Sequence, residues 1–185
     1  MVTRRVRGQA GDHEEFLGAT LRHADMLHTL ADRLAPQPAD AADLVQDTYL
    51  RAYAAWRRRR PGDVAAWLAT ICLNAGRDEL RRHARRDAAV HRGPVPDLPD
   101  RADTAAAALE RLDNSRIKAA LWTLPDAQRI AITLMDLCGF TAAQAAAITG
   151  ASRGTILARA HRGRKALALI LHDDRDPAKT PGTRG

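Results

Sequence analysis

The chain has 185 residues, with 29 Lys and Arg against 22 Asp and Glu, a net charge of +7 and a pI near 10.4, so a polyanion is the first partner to consider. Hydrophobic residues make up 45% and aromatic ones only 4%, so alanine and leucine carry the apolar pattern, which favours helix and gives strand little support. No signal peptide or membrane span is legible, so the chain is expected to stay in the cytoplasm, with no membrane partner.

The charge is unevenly spread. Residues 1–86 carry a net +4, residues 87–114 a net −3 and residues 115–171 a net +6, so two basic blocks flank an acidic joint. The length suits two small helical modules.

Residues 14–35 read as an amphipathic helix, with Leu17, Leu21, Ala24, Leu27, Ala31 and Leu34 close to helical period and PQP at 36–38 as its stop. A second helix is expected to begin at Asp40 as N-cap, with Asp43 in a first turn that favours negative charge. Val45, Tyr49, Ala52 and Trp56 give it one buried face, and Asp43, Gln46, Asp47 and Arg51 point elsewhere. After RRRRPGD (57–63) a third helix runs to about Arg86. Trp67, Leu68, Ile71, Cys72 and Ala75 form its inner side, and Thr70, Asn74, Arg77, Arg81 and Arg85 a stripe that is polar first and cationic later. Arg77 to Arg86 suit a phosphate backbone and a helix C-terminus equally well. Likewise, RRRR at 57–60 either touches phosphate or keeps a loop solvated.

Pro94, Pro96 and Pro99, among acids and alanines, break any helix and mark an extended linker, although LERL at 109–112 already has helical character. In the second module Pro125 suits a first helical position, and Ile130, Leu134 and Leu137 repeat at i, i+4, i+7 before Gly139. Thr141 and Gln144 then form a capping box, with Phe140 at the position of a hydrophobic staple. That short helix ends at Gly150, and Ser152 caps the next. A short and a long helix around a glycine turn are the outline of a helix-turn-helix. On its second helix Ile156, Ala160, Leu167 and Leu171 turn inward, leaving Ser152, Thr155, Arg159 and Arg162 on another side. Thr155 and Arg159 lie where such a helix meets base edges, and Arg162, Arg164 and Lys165 suit phosphates. A merely solvated basic face is the bland alternative, which the capping pattern and the turn disfavour.

Catalytic chemistry is not expected. Asp43, Gln46 and Asp47 have nothing nearby to perturb them as an acid/base pair, and no nucleophile with a base, glycine-rich phosphate loop or metal cluster is legible. Cys72 and Cys138 have no ligand-spaced partner and read as core thiols of a reducing compartment. The expectation is therefore a non-enzyme with no cofactor, no metal and no small-molecule substrate.

DAADLVQDTYLRAY (40–53), WLATICLNAGRDELRR (67–82) and LPDAQRIAITLMDLCGFTAAQAAAITGASRGTILARAHRGRKAL (124–167) together resemble the extracytoplasmic-function sigma factors, the compact two-domain initiation subunits of bacterial RNA polymerase. The resemblance covers roughly residues 14–171. It implies an all-α fold of two small helical domains joined by an extended acidic linker. Sigma domain 2 would span 1–88, the linker 89–113 and the sigma domain 4 helix-turn-helix 114–172, with a disordered tail at 173–185. It further implies that Asp43, Leu44, Gln46, Asp47 and Leu50 grip the clamp helices of the polymerase's largest subunit. Asn74, Arg77, Arg81 and Arg82 would face the minus-ten promoter element, whose opened strand also meets the loop around 57–66. Ser152, Arg153, Thr155, Ile156, Arg159 and Arg162 would serve the minus-thirty-five element, the linker would thread through the polymerase, and an anti-sigma factor would mask the binding surfaces.

The chain departs from that pattern in several places. Loop 57–66 lacks the family's usual aromatic residues. A common acidic residue of the first helix of the helix-turn-helix is replaced by Gln144 or Ala145, and GTILAR stands where GTVKSR is frequent. Gly163 is expected to weaken the recognition helix by roughly 1 kcal/mol relative to Ala. The rival reading is a stand-alone dimeric helix-turn-helix regulator. The acidic joint and the polar Asp43/Gln46/Asp47 face disfavour it, since a dimer seam would show leucines there. A module binding RNA or a protein partner lacks the aromatic platform that single strands need.

Overall fold

The computed structural model describes residues 3–87 and 105–173, and every regular element among them is helical. The acidic linker at 88–104 and the tail from 174 onward lie outside the described residues. The expected first helix is longer and broken: α1 (Thr3–Thr20) passes through a 3-10 turn (Leu21–His23) into α2 (Ala24–Leu34). Thr20 is fully buried and donates its hydroxyl back to the Phe16 carbonyl at 2.7 Å, a local bond that bends helices. The bend takes Leu21, expected inside, out to 55% exposure.

The second helix, α3 (Pro38–Ala55), starts at Pro38 rather than after a cap at Asp40. Proline fits the first helical position because its missing N–H would be unsatisfied there anyway, and Asp40 falls in the first turn. A 3-10 turn (Trp56–Arg58) leads to Asp63, whose Oδ1 accepts the N–H groups of Ala65 at 2.9 Å and Ala66 at 3.2 Å and so opens α4 (Val64–Asp87). α2, α3 and α4 pack around Leu27, Leu30, Leu68 and Leu73, all fully buried. Gly76 permits the crossing, because a Cβ there would lie 3.3 Å from Leu44 Cδ2.

The second module comprises α5 (Ala105–Trp122), α6 (Asp126–Ile132), α7 (Ala142–Thr149) and α8 (Arg153–Asp173). α5 begins nine residues ahead of the boundary expected at 114, so the last stretch of the expected linker is helical. α6 runs into a π-helical turn (Thr133–Leu137), closed by the Cys138 N–H on the Thr133 carbonyl at 2.9 Å. The wider turn rotates the helix end, so Leu134 is buried while Leu137, expected inward, is 39% exposed. Arg129, 2% exposed, lies with its guanidinium 3.9 Å from the Trp122 ring centre and pairs with Asp126 at 2.8 Å, pinning α6 to the end of α5.

The capping box is present in full: the Thr141 hydroxyl accepts the Gln144 N–H at 3.2 Å, and the Gln144 side-chain oxygen Oε1 accepts the Thr141 N–H at 2.9 Å. Gly150, at φ 72°, turns the chain, and the Ser152 hydroxyl accepts the Thr155 N–H at 3.1 Å at the head of α8. Gly163 is not the weak point it was expected to be. It is buried where α8 crosses α6, and a Cβ would come within 2.5 Å of Ile132 Cδ1, so close approach offsets its poor helix propensity.

The two modules are not held apart. Leu134, Phe140, Ala142, Ala145, Ile148 and Ile156 belong to the same buried cluster as the core of α2, α3 and α4. The cluster of Leu121, Leu124 and Ile132 is the second module's own.

Candidate nucleic-acid interface

α3 turns Asp43, Gln46 and Leu50 to solvent, Leu50 at 62% exposure, with Asp47 half-buried beside them. Leu44, expected on that surface, is 6% exposed under α4, so it supports the strip from beneath. Asp47 accepts from Arg51 at 2.8 Å, and Arg51 reaches Asp78 of α4 at 3.5 Å. The Asp47 carboxylate, then the Asp78 one, raise the Arg51 pKa further above its ordinary value. A groove of about 410 Å³ runs between α3 and α4, with Asp40, Asp43 and Asp47 on one wall and Glu79 and Arg82 on the other. Four carboxylates and two arginines, Arg51 and Arg82, line it, so its net character is acidic.

The cationic stripe of α4 divides. Asn74 is exposed, Arg81 lies 3.9 Å from Asp78, and Arg82 is ion-paired with Glu79 on the groove just described. Arg77 faces the other way, into a cavity of about 220 Å³ between the modules. Leu34 and Leu80 line it from the first module, and Arg129, Thr149 and Arg159 from the second. Two arginines expected on different promoter elements therefore share one cavity.

Ser152, at the cap of α8, and Arg153 and Arg162 along that helix are exposed, and Thr155 and Arg159 are half-buried. Ile156, at 1% exposure, faces the core, so its burial keeps the side chain from a base edge. The Ser152 and Thr155 hydroxyls are 2.8 Å apart and bond each other. Arg164, expected to suit phosphate, is held by both oxygens of Asp136 at 2.9 and 2.6 Å, and that pairing raises its pKa. Leu157 is 42% exposed on the same helix.

Within the RRRR run at 57–60, expected either to touch phosphate or to solvate a loop, Arg59 has surroundings that neither expectation included. The Arg59 guanidinium lies 4.5 Å from the Trp56 ring centre and 5.6 Å from that of Trp67, with its Nε buried and unpartnered. The signal was the spacing: Arg59 follows Trp56 by one turn of 3-10 helix, whereas Arg57 pairs with Asp12 at 3.0 Å and Arg58 donates to the Ala54 carbonyl at 3.4 Å. Both thiols are inert: burial pushes Cys72 up to about 12, with smaller opposing effects from Thr48 and Cys138, and burial does the same to Cys138. Among the described residues no group of acidic, His or Cys side chains of metal-binding size occurs, and no helix is long and apolar enough to cross a membrane.

Comparison with known proteins adds to this geometry. The family described as Sigma-70 region 2 matches residues 20–86, and Sigma-70, region 4 matches residues 115–167. The ECF RNA polymerase sigma factor SigM of Mycobacterium tuberculosis is 34% identical over 165 residues, 88% of this chain and 80% of its own length. SigE of Mycolicibacterium smegmatis is 33% identical over 155 residues, 81% of this chain but 59% of that protein, so the chain spans little more than half of that relative. Among solved structures, the sigma factor RpoE in complex with the anti-sigma factor NepR from Bartonella quintana aligns with a TM-score of 0.71 and 32% identity, covering 89% of this chain and 99% of RpoE. CnrH in complex with the cytosolic domain of CnrY aligns at 0.69 and 27%, covering 91% of this chain and 95% of that one.

Proposed function

The chain belongs to the extracytoplasmic-function sigma factors, and from that membership we propose that it binds core RNA polymerase, carries it to a promoter and helps open the DNA. Sigma factors are non-catalytic initiation subunits; this one makes no bond itself and works in the cytoplasm. The observation that carries the reading is the pairing, in one chain and in family order, of a region 2 module bearing an acidic helical groove and a region 4 module with a fully capped helix-turn-helix.

Within that reading the first module, about 1–88, docks the polymerase through Asp43, Gln46, Asp47 and Leu50, with Leu44 as their packed support. A polar strip with one exposed leucine suits helical partners better than it suits DNA. Asn74, Arg77 and Arg81 meet the minus-ten element, and Arg82 lies at the border of the two surfaces. Arg59, laid on two tryptophans, offers an unstacked base the flat face that the aromatic-free loop lacks. The second module, about 114–172, reads the minus-thirty-five element through Ser152, Arg153, Thr155, Arg159 and Arg162, with Ile156 anchoring the helix. Since RpoE and CnrH were solved bound to NepR and CnrY, an anti-sigma factor is the expected regulator here too.

Run-off transcription tests the proposal: core polymerase free of any sigma subunit is combined with this chain and a library of promoter fragments. Specific transcripts that depend on the chain are expected. Tight binding of palindromic DNA by a dimer, without any need for polymerase, would support the stand-alone regulator instead.

A further inference from the structure

We propose that the cavity of about 220 Å³ between the modules is a binding site for a small phosphate anion, held by Arg77, Arg129 and Arg159 together. The occupant is a free phosphate or diphosphate, or the terminal phosphates of a nucleotide. This site goes beyond the sigma reading and does not depend on it.

Three arginines from three helices line the space: Arg77 of α4, Arg129 of α6 and Arg159 of α8. One carboxylate, Asp126, shares it and already pairs with Arg129 at 2.8 Å, so two positive charges are left over. Neither Arg77 nor Arg159 has a hydrogen-bond or ion-pair partner among the described residues. Like charges around one cavity repel, and an anion placed among them turns repulsion into attraction.

Arg129 supplies the second, independent observation. It is 2% exposed, and its Nε is buried without a hydrogen-bond partner even though the guanidinium also meets the Trp122 ring and Asp126. Leaving a buried N–H donor unmade is costly, and an oxygen acceptor in the adjoining cavity removes that cost. Thr149 lines the same space, but its hydroxyl donates to the Ala145 carbonyl at 2.7 Å, so the donors left for a ligand are those of the arginines.

The chemistry and the size select the ligand. Forked guanidinium donors meet two phosphate oxygens at once, and apolar walls such as Leu34, Ile130 and Ile156 lower the local dielectric and strengthen each pairing. A phosphate ester has a second pKa of about 6, so at neutral pH its double charge matches the surplus. Pockets that enclose a drug-sized molecule measure roughly 300–1,000 Å³. This cavity is smaller, so it takes a phosphate or diphosphate and leaves a nucleotide's sugar and base outside. Duplex DNA is too wide to bring a phosphate to an arginine that is 2% exposed.

Calorimetric titration of the full-length chain with inorganic pyrophosphate, in chloride buffer at about pH 7.5, tests the site. Saturable one-to-one binding is expected, with orthophosphate weaker at the same stoichiometry. Arg77→Gln and Arg159→Gln should each weaken it about tenfold or more, as loss of a charged hydrogen bond does. Arg60→Gln, at an exposed arginine outside the cavity, should change it less than about twofold. The Nε–H resonance of Arg129, identified by its loss in Arg129→Lys, should shift with the same midpoint. Melting temperature should rise with pyrophosphate concentration, as for any ligand selective for the folded chain. ATP separates the sources: one-to-one competition with pyrophosphate admits a nucleotide's terminal phosphates, whereas pyrophosphate binding without ATP binding assigns the site to the free anion. Absence of saturable binding at millimolar pyrophosphate, a stationary Arg129 resonance, unchanged affinity in both glutamine variants of the cavity, or an equal loss in Arg60→Gln would overturn the site. None of these assays uses polymerase or promoter, so failure here leaves the sigma reading standing.

Discussion

Arg59 and its neighbours illustrate how four identical side chains acquire different surroundings. Arg57 and Arg58 are tied to Asp12 and to a helix carbonyl, whereas Arg59 lies over Trp56 and Trp67. If that stack holds an unstacked base, Arg59→Ala should cut promoter opening about tenfold, within the roughly 1–3 kcal/mol range of a base stack, while exposed Arg60→Ala costs far less. Permanganate footprinting of the opened strand measures the difference. The thiols make a second residue-scale prediction. Their folded pKa values of about 12 exceed the ordinary 9.0, so the unfolded chain loses these protons first as pH rises. Their contribution is full below pH 9 and is lost progressively between 9 and about 12. Thiolate absorbance at pH 10 should therefore be weak in the native chain and strong in urea. The inward placement of Cys72 was legible from its helical face; the Arg59 stack was marked only by the spacing from Trp56, because a run of like charges has no periodicity of its own.

At the scale of elements, local rules located the helix-turn-helix well. The Thr141/Gln144 box, the left-handed Gly150 and the Ser152 cap all use bonds within a few residues, so spacing alone finds them. Where an element depends on a distant neighbour, local rules mislead, and Gly163 is the instance. Alanine improves helix propensity by about 1 kcal/mol, but its methyl group would strike Ile132. Overpacking of this kind costs about 1–3 kcal/mol, which less the propensity gain leaves Gly163→Ala destabilising by up to about 2 kcal/mol rather than stabilising. Urea unfolding decides the sign. The 3-10 break after Thr20 and the π turn after Ile132 belong with Gly163: each shifts a leucine, Leu21 or Leu137, off the stripe that an unbroken helix would give it.

For the whole molecule, the proposed division of labour predicts separable defects. Arg159→Ala should weaken promoter use by about 1–3 kcal/mol, between about fivefold and 150-fold, and leave capture of core polymerase intact. Asp47→Ala should do the reverse, since it removes a carboxylate from the α3 strip and leaves α8 untouched. Pull-down of core enzyme beside promoter gel shifts of the assembled holoenzyme measures both; equal loss in both assays for either variant would count against the assigned roles.

The amino-acid sequence by itself determined that this protein is helical, that its charge is split about an acidic joint, and where its caps, turns and amphipathic faces fall. Those features depend on backbone sterics, on side-chain bonds to groups a few residues away and on a period of 3.6, all of which are local. Only the tertiary structure decided that Leu44 and Ile156 lie beneath the surfaces they support, that Arg164 is occupied by Asp136, and that Arg77 and Arg159 share a cavity. Those outcomes depend on which apolar faces meet. Both modules present alanine- and leucine-rich sides of similar character, and a sequence pattern marks such a side as buried without naming what buries it.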